Sequence, residues 1–312
     1  MKMVVIDVLQ QHYQVNDLRI LQLPHLNKPS KFLLTRLENP NNFSSISRRR
    51  TQTRFKLLKV KASSLSSTMS LFSQNPVLND ITSTVISSGV ALFCLQFWGE
   101  IAKRRIIKDQ ILIRKCVHIN IGLVFMLMWP IFSFRPQAAY LAALVPGVNI
   151  IRMLVLGLGL LKDESMVMSM TRSGDYRELL KGPLYYASTA TLACAVYWRT
   201  SPIAIAIICN LCAGDGLADI MGRRFGKKKL PHNRNKSYAG SIAMAIAGFL
   251  ASVGYMHFFS QFGFIKESPS LVLGFLIVSL ATTLVESLPI STEIDDNLTV
   301  PLTAALVGSL VL

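Results

Sequence analysis

Charge is scarce in this chain: only 16% of its 312 residues are Asp, Glu, Lys or Arg, where a soluble domain carries about a quarter. Acidic residues are the scarcest, 17 against 33 Lys and Arg. So little polar surface excludes a large water-soluble fold. With 51% hydrophobic residues and a mean hydropathy of +0.41, the solvent this chain suits is lipid. Cysteine is sparse too, and Cys94, Cys116, Cys194, Cys209 and Cys212 all sit in or at the ends of apolar runs. Cys209-x-x-Cys212 has no second pair of ligands nearby, as a zinc site requires, so the five read as small buried hydrophobes. A Walker P-loop, a dinucleotide glycine motif and a Ser/His/Asp triad are all missing. No internal repeat and no second soluble domain is visible.

Positive charge is in excess, a formal net +16, but its distribution argues against nucleic acid as the partner. Residues 1–70 hold twelve Lys/Arg and three Asp/Glu, and the remaining 242 hold 21 and 14. The basic stretch Arg48, Arg49, Arg50, Arg54, Lys56, Lys59 and Lys61 leads into Ala62-Ser63-Ser64-Leu65-Ser66-Ser67. Acid-poor, Arg- and Ser-rich leaders are organelle transit peptides. Residues 1–68 are therefore expected to be a disordered basic import leader and 69–312 a polytopic membrane domain. Charge alone leaves plastid and mitochondrion open, and a plain basic tail is the other reading.

Eight apolar runs follow, at about 77–98, 116–133, 137–161, 183–198, 201–220, 238–260, 270–288 and 298–312. A crossing helix needs about 20 residues, and the fourth and eighth runs are short. The expected fold is an all-α integral membrane protein, a bundle of about 7–8 transmembrane helices with its polar loops gathered on one face. Charge tests the parse independently. The loops joining runs 1–2, 3–4 and 5–6 contain six, four and seven Lys/Arg, and those joining runs 2–3, 4–5 and 6–7 contain one each: Arg135, Arg199 and Lys266. Such alternation is the positive-inside pattern of a correctly counted bundle. It defines a chemically rich face and a blank one. The loop between runs 7 and 8 is on the rich face yet acidic, with Glu286, Glu293, Asp295 and Asp296, so it has a role other than topology.

The densest constellation spans 213–241. Asp215 and Asp219 are four residues apart, on one helix face. Two carboxylates at a membrane helix end are costly unless paired or bound to cations. Mg²⁺ suits such oxygen ligands, typically taking one or two carboxylates plus substrate phosphates; salt bridges to Arg223 and Arg224 are the plainer alternative. Residues 223–236 then supply seven cations before Lys236-Ser237-x-x-Gly240-Ser241 opens run 6. Ser237 is placed to cap a helix whose free N–H groups favour an anion, Gly240 to let a phosphate approach the backbone, and Lys236 to add a point charge. An ordinary cap beside a positive-inside loop is the bland reading. Carboxylates for a metal next to amines for phosphates favour the joint one.

Further polar groups share that face. Arg114-Lys115-x-x-His118 opens run 2, with Lys115 and His118 one helical turn apart; Glu178-x-x-Lys181 precedes run 4; Glu286 to Asn297 links runs 7 and 8. Asn149 and Arg152 lie within run 3, where an arginine is a functional candidate by default. Each taken singly is equally explained by topology or packing.

Together these motifs resemble the polyprenol kinase family, which includes phytol, farnesol and, more distantly, dolichol kinases. The resemblance covers roughly residues 77–312. It is carried by Cys212-Ala-Gly-Asp-Gly-Leu-Ala-Asp-Ile-Met-Gly-Arg-Arg-Phe-Gly226, Asn235-Lys-Ser-Tyr-Ala-Gly-Ser241, Arg114-Lys115-x-Val-His118-Ile, Glu178-Leu-Leu-Lys181-Gly-Pro-Leu-Tyr and Val285-Glu286-Ser-Leu-Pro-Ile…Asp295-Asp296-Asn297. It implies a plastid membrane enzyme that transfers the terminal phosphate of a nucleoside triphosphate, typically CTP, to an isoprenoid alcohol. Phe97-Trp98-Gly99-Glu100 and His118-Ile-Asn-Ile-Gly-Leu-Val-Phe125 look closer to farnesol kinase than to phytol kinase. In this reading Asp215 and Asp219 hold Mg²⁺, while Lys236, Ser237, the 240–241 backbone, Arg223 and Arg224 hold phosphate. Lys115, Lys181, His118 and Glu178 are the catalytic candidates, with His118 or Glu178 taking the alcohol proton. Two other classes stay open: a membrane cytidylyltransferase acting on a lipid phosphate, and a non-enzymatic anion transporter. Transporters place their polar site near the midplane, whereas here charge gathers at one end.

Overall fold

Local chemistry sets where the helices begin. In the computed structural model, which describes residues 75–289 and 294–312, Asn75 caps helix α1 (Pro76–Lys103) by accepting from the Val77 N–H at 3.0 Å, with Pro76 at the first helical position. Asp109 caps α2 (Gln110–Leu127) through the N–H groups of Ile111 and Leu112. After α3 (Ala138–Gly157), Asp163 caps the short α4 (Glu164–Met170), and α5 (Gly182–Leu192) continues through a π turn to Tyr197. Helix α6 (Pro202–Cys209) likewise runs through a π turn, Asn210–Asp215, into α7 (Gly216–Phe225). Ser237 caps α8 (Tyr238–Gln261), Ser268 with Pro269 starts α9 (Pro269–Ser287), and Asp295 caps α10 (Asp296–Val311). The expected leader, 1–68, and Glu293 lie outside the described residues.

The molecule is an all-helical membrane bundle. Among the described residues six helical stretches are long and apolar enough to cross a bilayer: 76–103, 110–131, 138–157, 202–225, 238–261 and 269–287. Runs 4 and 8 become α5 with its π turn and α10, both shorter, so six is slightly fewer than the expected 7–8. The 202–225 stretch is the central one, 78% buried in its apolar window, whereas the outer helices show lipid-facing Leu, Ile and Phe.

Small residues let the central stretch pack closely. A Cβ on Gly216 would stand 2.2 Å from Ile119 of α2, and one on Gly240 would stand 2.9 Å from the Ala218 carbonyl and 3.4 Å from Gly222 Cα. Where lipid is as apolar as a side chain, close backbone approach and hydrogen bonds drive packing. The blank end is closed by a polar knot. Arg199, 1% exposed, donates to the carbonyls of Trp129, Phe132 and Ser133 and lies 4.1 Å from the Phe264 ring centroid. Beside it the buried Asp80 carboxylate accepts from the Ser133 N–H and hydroxyl at 2.6 and 2.7 Å.

Candidate active site

At the rich end, α7, the loop after it and the starts of α8 and α10 surround a polar cavity of about 350 Å³. Asp215, Asp219, Arg223, Arg224, Lys236, Ser237, Gly240, Ser241, Glu286 and Asp296 all line it. Ten of the expected site residues, spread over 82 positions of sequence, thus meet in one place.

Their pairing differs from the simplest expectation. Asp219 does pair with Arg223, whose Nε donates at 3.0 Å. Asp215 pairs instead with Lys115, a hundred residues earlier on α2, with Nζ to Oδ2 at 2.8 Å, and His118 Nε2 lies 3.3 Å from the same oxygen. Asp215 and Lys115 are 2% and 5% exposed. Arg224 lies over the Phe225 ring. Lys236 binds the Glu286 carboxylate and lies 3.6 Å from Asp296, so one amine joins the α7–α8 loop, α9 and α10. Burial alone would push the Lys236 amine down, but Glu286 and Asp296 outweigh it and hold its pKa above the ordinary lysine value.

The start of α8 is largely occupied by its own fold. The Gly240 N–H donates to Ser237 Oγ at 3.2 Å, the Tyr238 N–H to the Lys228 carbonyl and the Ser241 N–H to the Ser237 carbonyl. Two polar atoms of residues lining the cavity, the Ser241 hydroxyl and Asp219 Oδ2, are buried and lack a hydrogen bond among the described residues. Among the described residues no cluster of three or more His, Cys, Asp or Glu is assembled for a metal. Two carboxylates one turn apart, one with a buried free oxygen, match an ion that takes its remaining ligands from nucleotide phosphates.

A second, apolar cleft lies on the other side of His118, between α1, α2, α3 and α5. Its polar end, the mouth, carries Arg114, Gly182 and Asn297 from near the starts of α2, α5 and α10, and its walls include Leu95, Ile121, Met153, Tyr186 and Ala187. Phe125, which lies edge-on to Trp129 with ring centroids 5.8 Å apart, lines it farthest along α2 from the mouth. His118 is fixed at the boundary. Nε2 is 2.7 Å from the Leu211 carbonyl, which can only accept, so Nε2 carries the hydrogen and Nδ1 is the basic nitrogen. The Tyr186 hydroxyl donates to the His118 carbonyl at 2.8 Å and their rings pack at 4.5 Å. Tyr186 had no signal in the sequence beyond being an aromatic in an apolar run.

Other expected residues lie apart. Glu178 accepts from the N–H groups of Arg172 and Ser173 and from the Ser173 hydroxyl, tying up its own loop; it lines neither cavity. Burial would raise its carboxyl, but these hydrogen bonds hold it below the usual range. Lys181 is exposed at the start of α5. Arg152 pairs with Asp163 at 2.8 Å, which fixes α3 to the cap of α4, while Asn149 donates to the Val145 carbonyl and lines the cleft. Asp295 caps α10, and Asn297 donates to it from the cleft mouth.

A basic, acid-bearing cavity thus abuts an apolar cleft inside a membrane bundle, which defines an integral membrane protein with a polar and an apolar compartment side by side. Comparison with known proteins narrows that class. The chain is 62% identical over 261 residues to "Farnesol kinase, chloroplastic" of Arabidopsis thaliana, covering 84% of each. It is 66% identical over 233 residues to "Probable phytol kinase 2, chloroplastic" of Oryza sativa subsp. japonica, covering 75% of this chain and 76% of that one. "Phytol kinase 1, chloroplastic" of Arabidopsis thaliana is 42% identical over 237 residues, 76% and 78%. No family model and no solved structure matches. The chain belongs to the family of chloroplastic farnesol and phytol kinases, and is a chloroplast membrane protein.

Proposed function

We propose that this protein transfers the terminal phosphate of a nucleoside triphosphate, CTP by family resemblance, to an isoprenoid alcohol in prenyl-alcohol salvage and tocopherol-type isoprenoid metabolism. One observation carries the reading: His118 lines the apolar cleft while its ring nitrogen lies 3.3 Å from Asp215 of the polar cavity. A hydroxyl on a lipid tail and a phosphate on a soluble nucleotide would meet there. Phosphoryl transfer is mainly positioning and charge neutralisation. The alcohol oxygen bonds to the terminal phosphorus as the bond to the nucleoside diphosphate breaks. Its proton passes to His118 Nδ1, and the bond's electron pair leaves on the diphosphate oxygen. Lys236, Arg224 and the Ser241 hydroxyl bind the triphosphate, and Lys115 holds Asp215 in place. Mg²⁺ held by Asp215 and Asp219 would neutralise phosphate charge.

The cleft bears on which alcohol is taken. From Arg114 to Phe125 is eleven helical residues, about 16 Å of α2. At about 1.3 Å of reach per carbon–carbon bond, an extended farnesyl chain spans roughly 14 Å and a phytyl chain roughly 19 Å. The cleft volume is about 70 Å³, so an isoprenoid tail has to part adaptable walls such as Met153 and Met170. Farnesol is the better fit. Phe125→Leu should then raise the preference for phytol or geranylgeraniol over farnesol about tenfold, the scale of small changes in a hydrophobic pocket; an unmoved kcat/KM ratio would reject Phe125 as the floor.

The deciding assay supplies purified protein with Mg²⁺, each of four nucleoside triphosphates, and farnesol, geranylgeraniol or phytol. A prenyl monophosphate with CDP is the expected product. Pyrophosphate release would make the protein a cytidylyltransferase, and anion passage across vesicles without product would make it a transporter. We propose that 1–68 serves import alone, so a chain starting at residue 69 should be as active; total loss of activity in a chain that still inserts and folds would place the leader in the enzyme.

A further inference from the structure

Lys115 and Arg114 are neighbours on α2 but point to different sides of the helix. Lys115 reaches Asp215 on the polar side. Arg114, about 100° around the helix, lines the mouth of the apolar cleft. Its Nε is buried without a hydrogen bond, and among the described residues it forms no ion pair. Asp215, Asp219 and Asp296 act on this guanidinium only from beyond ion-pair distance, and a partly buried arginine beside an apolar cleft without a direct partner is costly, so such residues mark function by default.

The surroundings show what it is kept for. Gly182, at the start of α5, opens the space: a Cβ there would lie 3.2 Å from Asn297 Nδ2, 3.4 Å from Asp295 Oδ2 and 3.9 Å from the nearer Arg114 terminal nitrogen. Asn297 donates through Nδ2 to Asp295 Oδ1 at 2.7 Å, which fixes the amide and turns Oδ1 away as an acceptor. That Oδ1 is also buried without a partner. The mouth therefore offers one unpaired acceptor and one unpaired cationic fork, next to His118 one turn along α2. An alcohol supplies a donor for Asn297; a phosphate monoester supplies acceptors for Arg114, whose planar fork matches phosphate oxygens.

We propose that Arg114 is a further catalytic residue that holds the phosphate from the alcohol side, binding the prenyl monophosphate as it forms, while Asn297 receives the alcohol hydroxyl beforehand. This rests on the kinase reading above. In the transfer, the phosphorus passes from the nucleoside diphosphate oxygen to the alcohol oxygen and the alcohol proton leaves to His118; Arg114 gives up no proton and takes the charge that has arrived at the cleft mouth.

Equilibrium binding of farnesyl monophosphate to the purified full chain, without nucleotide, tests it. Arg114→Gln should weaken that binding about ten- to a hundredfold, the size of a charge-assisted hydrogen bond. Arg114→Lys should fall between, keeping charge but not the fork. Farnesol binding and the nucleotide KM should stay within about twofold of wild type, since neither rests on this guanidinium. Unchanged monophosphate affinity in Arg114→Gln overturns the proposal, and so does an equal loss of alcohol, monophosphate and nucleotide, which would mean a structural role. A wild-type chain that neither forms nor binds the monophosphate would sink the kinase reading itself. Phosphorylation by wild type together with full affinity in Arg114→Gln would sink this inference alone.

Discussion

Asp215→Asn is expected to reduce turnover by at least about a thousandfold, the scale of losing a preorganised charge at the reacting phosphate. It is also expected to lose stability, and the structure gives the reason. Asp215 is the ion-pair partner of a buried lysine, and removing one member of a buried pair typically costs about 3–5 kcal/mol. A loss of activity in the single variant is therefore ambiguous. Combining it with Lys115→Met removes the pair as a unit, which is often neutral for stability. The double variant should recover the folded amount and thermal midpoint but remain inactive per folded molecule. Recovered activity along with recovered folding would reduce Asp215 and Lys115 to a structural pair and take the metal assignment with them.

Lys236→Met should have the next largest effect, lowering kcat/KM for the nucleotide about a hundredfold or more at saturating alcohol. Among the described residues Lys236 is the one amine that lines the polar cavity and also lies within ion-pair distance of two carboxylates from other helices. Its raised pKa keeps it charged through neutral pH, so the loss should be flat between about pH 6 and 9. Glu286→Gln leaves Asp296 as a partner and should cost less, with the change mostly in KM. Wild-type nucleotide kinetics in Lys236→Met would exclude the amine from the phosphate site.

How much of this was legible in the sequence depends on range. The eight apolar runs became α1, α2, α3, α5, the α6–α7 stretch, α8, α9 and α10, because helix starts are local and Asp109, Ser237 and Ser268 declare them. Charge alternation likewise placed Asp215 and Lys236 on one face, and they line one cavity. Partner choice was not legible. From Asp215 the nearest cations in sequence are Arg223 and Arg224, while the true partner is Lys115, reached only because Gly216 lets α7 sit against Ile119 one turn from it. The π turns at 193–197 and 210–215 have no compositional mark, since packing selects them. Short α4 was hidden inside a basic loop. Glu178 drew attention through its motif, yet its carboxylate serves its own loop.

Arg199 was counted among the lone cations of the blank face, a detail of topology. Buried at the junction of α2 with the turn into α6, it bears on why the helices associate at all. In lipid, bringing two apolar helices together removes no surface from water, so the force that assembles a soluble core is missing. An arginine buried without partners is costly, and so are the backbone carbonyls where α2 ends if they are buried unpaired. Each is a defect only while the segments are apart. The defects cancel when the guanidinium meets those carbonyls and three aromatic rings. The least lipid-compatible residue of the blank end is thereby a reason for the bundle to assemble there and in that register.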